Sequence, residues 1–243
     1  MLGGWLRDDR LSGVVPWEWM EDRLRNPVIW QTWRGPSEFL LDKLYELSHG
    51  YHRDPWQDQP SYVEVWCEKD ALSGIFKSVL SEYYVTLRIG RGYDSWSSIK
   101  EAADEYTRRL KRHGQETTVL YFGDFDPSGE DMHRSLIERF GMLSVYPEVP
   151  KIALTHEDTR RLPANFTKAD DSRREAFIRK YGDVAVELDA LPVEELRERI
   201  RTSVEAAMDM LVLEESLRLQ REHRRRIREL AEGLDLEQRL EEE

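Results

Sequence analysis

Between residues 61 and 190, short apolar runs alternate with longer stretches of helical period, and this alternation restricts the fold more than any other feature of the chain. SYVEVWC (61–67) reads as a strand, Asp70 to Leu80 as a helix and YYVTLRI (83–89) as a strand. Ser95 to His113 reads as a helix capped by Asp94 or Ser95, followed by TTVLYFG (117–123) as a third strand. Ser128 to Phe140 continues the pattern as a helix, and VPKIALT (149–155) and VAVEL (184–188) read as later strands. Strands that are apolar at their centres must be covered on both faces, and strands separated by helices pair in parallel. The pattern therefore predicts an α/β fold with a mostly parallel sheet sandwiched by helices.

The flanks differ in character. Residues 1–60 contain Trp5, Trp17, Trp19, Trp30, Trp33 and Trp56, interrupted by Pro16, Pro27, Gly35-Pro36 and Pro55. They predict a helical arm, with one helix from Pro16 to Leu24 and another from Ser37 to Leu47, and with tryptophans that pack against a neighbouring domain. From Pro192 the residues Val193, Leu196, Ile200, Val204, Met208 and Leu211 keep one helical period, which predicts a long C-terminal helical extension. The expected division is thus an arm at 1–60, an α/β domain at 61–191 and an extension at 192–243. Within the extension, Arg221, Arg224, Arg225, Arg226 and Arg228 read as a solvated helix face, paired with acids such as Glu214, Glu215 and Glu222.

Charge narrows the function classes. A net charge of -12 is the wrong sign for a protein that coats DNA without specificity, but it leaves room for a local basic groove. No apolar stretch approaches the ~20 residues needed to span a bilayer. The start, MLGGWLRDDR, lacks a basic region followed by an apolar run, and the single cysteine, Cys67, can form no internal disulfide. These features predict a cytoplasmic protein without a membrane partner, with Cys67 as a buried small hydrophobe.

Functional groups in open α/β sheets collect at the carboxyl ends of strands. Glu68 follows the first strand, in WCEKDAL, and Asp124 and Asp126 follow the third, in GDFDPSG. Residues two apart in an extended segment point the same way, so both aspartates can face one point while Phe125 faces the other side. Clustered carboxylates repel one another, and a divalent cation relieves the repulsion. Magnesium suits such a set, because it takes hard oxygen ligands and keeps waters beside one or two carboxylates and a phosphate. A bare Asp-x-Asp after a strand is otherwise an ordinary helix-entry turn, and the acid after a second strand is what distinguishes this one.

The ordered set EKDAL, RGYDS (91–95) and YFGDFDPSGEDM (121–132), followed by IALTHEDTRRLP (152–163) and VAVELDALPVEELRERI (184–200), resembles the Toprim domain. It looks most like the Toprim region of the topoisomerase VI A-subunit and meiotic double-strand-break protein family. The resemblance covers roughly 60–205, and more loosely 7–60. It implies a Rossmann-like Toprim sheet, Mg2+ (with Mn2+ as a substitute) and DNA as substrate. It also implies a homodimer or a partner subunit. Carried over by position, Glu68 is the invariant acid, a metal ligand or general acid/base, and Asp124 and Asp126 are the metal-binding pair. Lys69 and Arg91 lie on the same rim, where they can meet nucleic-acid phosphate. Glu130 and Asp131 read as acids of a helix first turn, and Glu187 and Asp189 as residues that orient the neighbouring strand or approach the metal.

The sequence departs from the family at its nucleophile. Relatives cut DNA through a tyrosine on a winged-helix domain ahead of the Toprim domain, whereas residues 1–60 here contain no complete winged helix. Tyr45 and Tyr51, the tyrosines upstream of the sheet, do not match the family's catalytic segment. The expectation is therefore Mg-dependent phosphodiester cleavage, with water as nucleophile unless a partner supplies the tyrosine. The alternative is a non-catalytic DNA-binding subunit whose acids hold a structural cation. A small-molecule phosphotransferase fits less well, because no glycine-rich phosphate loop is present.

Overall fold

The run SYVEVWC forms β1 (Ser61–Cys67), and ETTVLYF, apolar at its centre, forms β3 (Glu116–Phe122) beside it. In the computed structural model of the chain, residues 9, 11–14, 30–90 and 95–232 are described. They fall into two units, Met1–Gly50 with Arg224–Glu243, and Tyr51–His223. In the first unit, PSEFLLDKLYELSHG forms α1 (Pro36–Gly50), where the Trp33 ring meets the edge of Phe39 and its Nε1 donates to Asp42 Oδ2 over 3.0 Å. The expected helix from Pro16 to Leu24, and Trp5, Trp17 and Trp19, lie outside the described residues.

The second unit contains the sheet. After β1 come α2 (Ser73–Leu80), β2 (Thr86–Ile89), α3 (Trp96–His113) and then β3. They are followed by α4 (Pro127–Met142), β4 (Lys151–Ala153), α5 (Arg174–Tyr181), α6 (Val193–Ala207) and α7 (Met210–Glu232), which runs on past His223. All strand pairings in the sheet are parallel, in the order β2-β1-β3-β4. The α/β expectation is met: a parallel sheet is flanked by helices on both faces.

Alternation along the strands sorts the core into two layers. On one face Trp66 packs against Phe140 of α4 and Tyr62 faces Tyr106 of α3. On the other face Phe122 meets Phe76 of α2 edge-on, at 5.0 Å between ring centres, and α6 packs over α2. Full burial of a side chain such as Phe76 or Phe122 stabilises by about 1.5–3 kcal/mol. A charged residue within the Trp66 and Tyr106 layer is Glu64. It is fully buried and accepts from Trp66 Nε1 (2.8 Å), Tyr106 Oη (2.9 Å) and Arg88 Nε (2.5 Å).

Four segments differ from the expectation for local reasons. The second strand begins only at Thr86, because Tyr84 takes a φ of 54° and Val85 N–H still bonds to Leu80 O at the end of α2. The strand expected at 149–155 is confined to Lys151–Ala153. Residues 184–188 do not join the sheet. They make single antiparallel bridges, Phe125 with Val186 and Asn165 with Ala185, and then turn into a 3₁₀ segment at Leu188–Ala190. The long helical stretch after Pro192 is broken at Met208-Asp209, where Asp209 Oδ1 accepts from Leu211 N and Val212 N and so caps α7. Trp56 is 2% exposed and ties the incoming chain to the sheet unit through Nε1 and Tyr84 O. Cys67 is buried, and burial pushes its thiol up to about 12. Arg218 pairs with Glu215 and Glu222. Among the described residues, no helix is long and apolar enough to cross a membrane.

Candidate active site

The strand order creates one switch point. The chain leaves β1 toward β2 on one side, then α3 returns it across to β3 on the other. In open α/β sheets the crevice at such a point, at the carboxyl ends of the two strands, is where ligands bind. Here Cys67 is level with Phe122, so Glu68 and Gly123 leave the sheet side by side, and Glu68 N–H donates to Phe122 O at 3.0 Å.

Glu68 and Asp124 meet in that crevice. The backbone N–H of Asp124 donates to Glu68 Oε2 over 3.1 Å. Asp124 Oδ1 accepts from Leu188 N–H at 2.6 Å and lies 3.4 Å from Lys69 Nζ. Asp126 plays two parts: its Oδ1 caps α4 by accepting from Gly129 N–H at 2.7 Å, and its charge faces Glu68 and Asp124. Among the described residues, Glu68 Oε1, Asp124 Oδ2 and Asp126 Oδ2 accept no hydrogen bond.

Electrostatics follow from this crowding. Burial, and then the Asp124 carboxylate, raise Glu68 to about 7, against a lowering effect of the Asp124 N–H. Burial also raises Asp124, opposed by the Leu188 N–H and by Lys69. The two acids thus bind protons more readily than free carboxyls, as buried neighbours of like charge do.

Lys69 and Arg91 were the expected phosphate contacts. The Lys69 ammonium lies between Asp124, Glu187 Oε2 (2.9 Å) and Asp189 Oδ1 (3.0 Å). Burial alone would lower its pKa, and the bonds to Glu187 and Asp189 raise it instead. Glu187 and Asp189 are therefore brought to the rim, and they hold Lys69. Arg91 lies outside the described residues, as does most of the RGYDS segment. Of the two helix acids, Glu130 bonds to Lys151 Nζ at 2.6 Å, and Asp131 pairs with Arg134 and Arg173.

Three further participants were not read from the sequence. A Cβ on Gly123 would lie 2.8 Å from Glu68 Oε2, so the glycine makes room for the carboxylate. A Cβ on Gly129 would lie 2.3 Å from Asp124 O, so α4 approaches the turn through a bare backbone. Lys151 Nζ donates to that same carbonyl at 2.8 Å. A lysine opening an otherwise apolar strand, PKIAL, was the available signal.

The oxygens left without a hydrogen bond are carboxylate oxygens, the ligand type that a hard cation takes. They lie on three side chains from two strand ends. Among the described residues, no group of three or more His, Cys, Asp or Glu side chains is placed to hold a metal ion. A water-rich magnesium shell, held by one or two carboxylates and completed by a phosphate, does not require one. No protein-family model matches the chain, and no curated protein matches it.

Proposed function

We propose that this chain is a Toprim-type, magnesium-dependent protein that cleaves DNA phosphodiesters, akin to the Toprim region of the topoisomerase VI A-subunit and meiotic double-strand-break family. One observation carries the reading. Carboxylates from two adjacent strand ends converge at the switch point, with open oxygens and raised proton affinity. The order of the motifs EKDAL and GDFDPSGEDM supports it.

Asp124 and Asp126 would hold the ion, and Glu68 would hold a second ion or move a proton. A bound Mg2+, or Mn2+ in its place, supplies Lewis-acid polarisation of the phosphodiester and offsets its developing charge. Glu68 would take the proton of the attacking water or give one to the leaving oxygen through Oε1. The nucleophile is water in this reading. The Tyr51 hydroxyl is engaged with His223 Nδ1 at 2.8 Å, and Tyr45 stacks on His49. A partner subunit carrying a winged-helix tyrosine would convert the same site to covalent cleavage, and a homodimer would cut both strands. A cytoplasmic location belongs to this reading, because a reducing compartment keeps a lone thiol such as Cys67 free.

A second reading, a non-catalytic DNA-binding subunit, is favoured by the way Lys69 already pairs with Asp124, Glu187 and Asp189. An end-labelled duplex incubated with protein and Mg2+ separates the readings. Hydrolytic products with free ends support the nuclease, and label retained on protein supports a tyrosine. An intact duplex that is nevertheless bound supports the subunit.

A further inference from the structure

The segment from Asp124 to Asp126 must aim two carboxylates, and a turn aims its side chains through its backbone. Nearly every backbone group of that turn is tied to another main-chain group or to the site itself. Asp124 N–H goes to Glu68 Oε2. Phe125 exchanges both of its bonds with Val186, at 2.9 and 3.0 Å, and Asp126 O accepts from Glu130 N–H at 3.0 Å. The Asp124 carbonyl differs. It is held by a cationic side chain, Lys151, at 2.8 Å.

Lys151 stands on β4, beside β3, and its side chain is 10% exposed. Its ammonium also donates to Glu130 Oε1 at 2.6 Å and sits 5.6 Å from the centre of the Phe125 ring. Glu130 in turn accepts from the Tyr181 hydroxyl at 3.3 Å. On the α4 side, the Asp124 carbonyl approaches Gly129 too closely for any side chain there. The carbonyl is thus wedged between a helix backbone and a half-neutralised ammonium. An ammonium has three donors, and these are spent inward, on a carbonyl, a carboxylate and a ring face.

We infer that Lys151 is a positioning residue for the metal-holding turn. It fixes the Asp124 peptide, and through it the direction of the Asp124 and Asp126 carboxylates, without touching phosphate. Glu130 balances its charge, so the lysine anchors the turn while repelling an incoming cation less than a bare ammonium would. The inference rests on the metal-site reading given above. Outer-shell partners of this kind typically change metal affinity by about 10- to 100-fold when lost.

The test compares wild type, Lys151→Met, Lys151→Arg and Glu130→Gln as full-length chains. Calcium binding is followed by calorimetry, DNA binding is measured without metal, and cleavage is measured across a Mg2+ titration. Lys151→Met keeps the stem and removes the donors. It should raise the calcium Kd and the Mg2+ half-saturation about tenfold, leave the metal-free DNA Kd unchanged, and recover most of its kcat at saturating Mg2+. Lys151→Arg should fall between it and wild type. Glu130→Gln should shift metal affinity in the same direction by less, and it covers the case in which Lys151→Met does not fold. Weakened DNA binding with a salt slope lower by about one would mark a phosphate contact and overturn the inference. A lower melting temperature with unchanged metal affinity in the folded variants would overturn it as well. Failure of wild type itself to bind calcium or Mg2+ would remove the metal-site reading, an outcome distinct from wild type binding metal and the variants matching it.

Discussion

The backbone N–H of Asp124 donates to the Glu68 carboxylate across 3.1 Å, joining the ends of two strands that are 56 residues apart in sequence. The contact depends on register. Because Cys67 lies beside Phe122, the residues that follow each strand emerge at one level, and Gly123 leaves space for the glutamate. A slip of one residue would turn Glu68 to the other face and dissolve the site.

That proximity predicts an unusual pH dependence. With burial and Asp124 raising Glu68 to about 7, the folded state binds its proton more tightly than the unfolded chain. The carboxyl's favourable contribution is then complete below its ordinary value of 4.5 and lost as pH rises toward 7. In metal-free buffer at about pH 8, Glu68→Gln should be more stable than wild type by about 1–2 kcal/mol, the shift being discounted for partial exposure. The two should converge in acid. Urea unfolding at several pH values checks this, and a Glu68→Gln variant less stable than wild type at high pH would refute it.

Gly123→Ala tests the packing of the same carboxylate. The new Cβ would fall 2.8 Å from both Glu68 Oε2 and Tyr121 Cε1. The glutamate must move, and a displacement near 1 Å in a reacting group can cost about 10²-fold in rate. Cleavage should drop by that order while circular dichroism keeps its native shape. Unchanged cleavage would show that Glu68 has no fixed role.

Glu64 carries the opposite signature, stability without chemistry. It is completely buried among Trp66, Tyr106 and Arg88. Glu64→Ala leaves Arg88 only the exposed Glu101 as a partner and strands the Trp66 and Tyr106 donors, and breaking a buried pair in this way costs about 3–5 kcal/mol. Denaturant midpoints should fall accordingly, with cleavage per folded molecule retained at low temperature. Native stability combined with lost cleavage would place Glu64 in the site instead.

Much of this was legible in the sequence because the informative segments are local. SYVEVWC and TTVLYFG have the composition of covered strands, Ser95 caps α3 after β2, and Asp126 caps α4 after β3. The acids that follow those two strands stand at the carboxyl ends of neighbouring strands. What could not be read depended on tertiary context. VAVEL has strand composition, yet it spends its hydrogen bonds on the Asp124–Asp126 turn and on Asn165. Tyr84 has strand propensity, yet it adopts a left-handed conformation at the end of a helix turn. Asp209 reads as one polar residue in a helical run, and it caps a new helix. Lys69 reads as a surface cation available for phosphate, whereas three carboxylates from distant segments surround it.

The measurement that bears most directly on the central claim is cleavage of supercoiled plasmid by the purified full chain across a Mg2+ titration, resolved on a denaturing gel beside Glu68→Ala and Asp124→Asn. The account predicts nicked or linear product that requires Mg2+, and a loss of about 10²-fold or more in both variants while each remains folded. Cleavage that persists unchanged in both variants, or a wild type that binds Mg2+ and DNA together and cuts nothing, would contradict it.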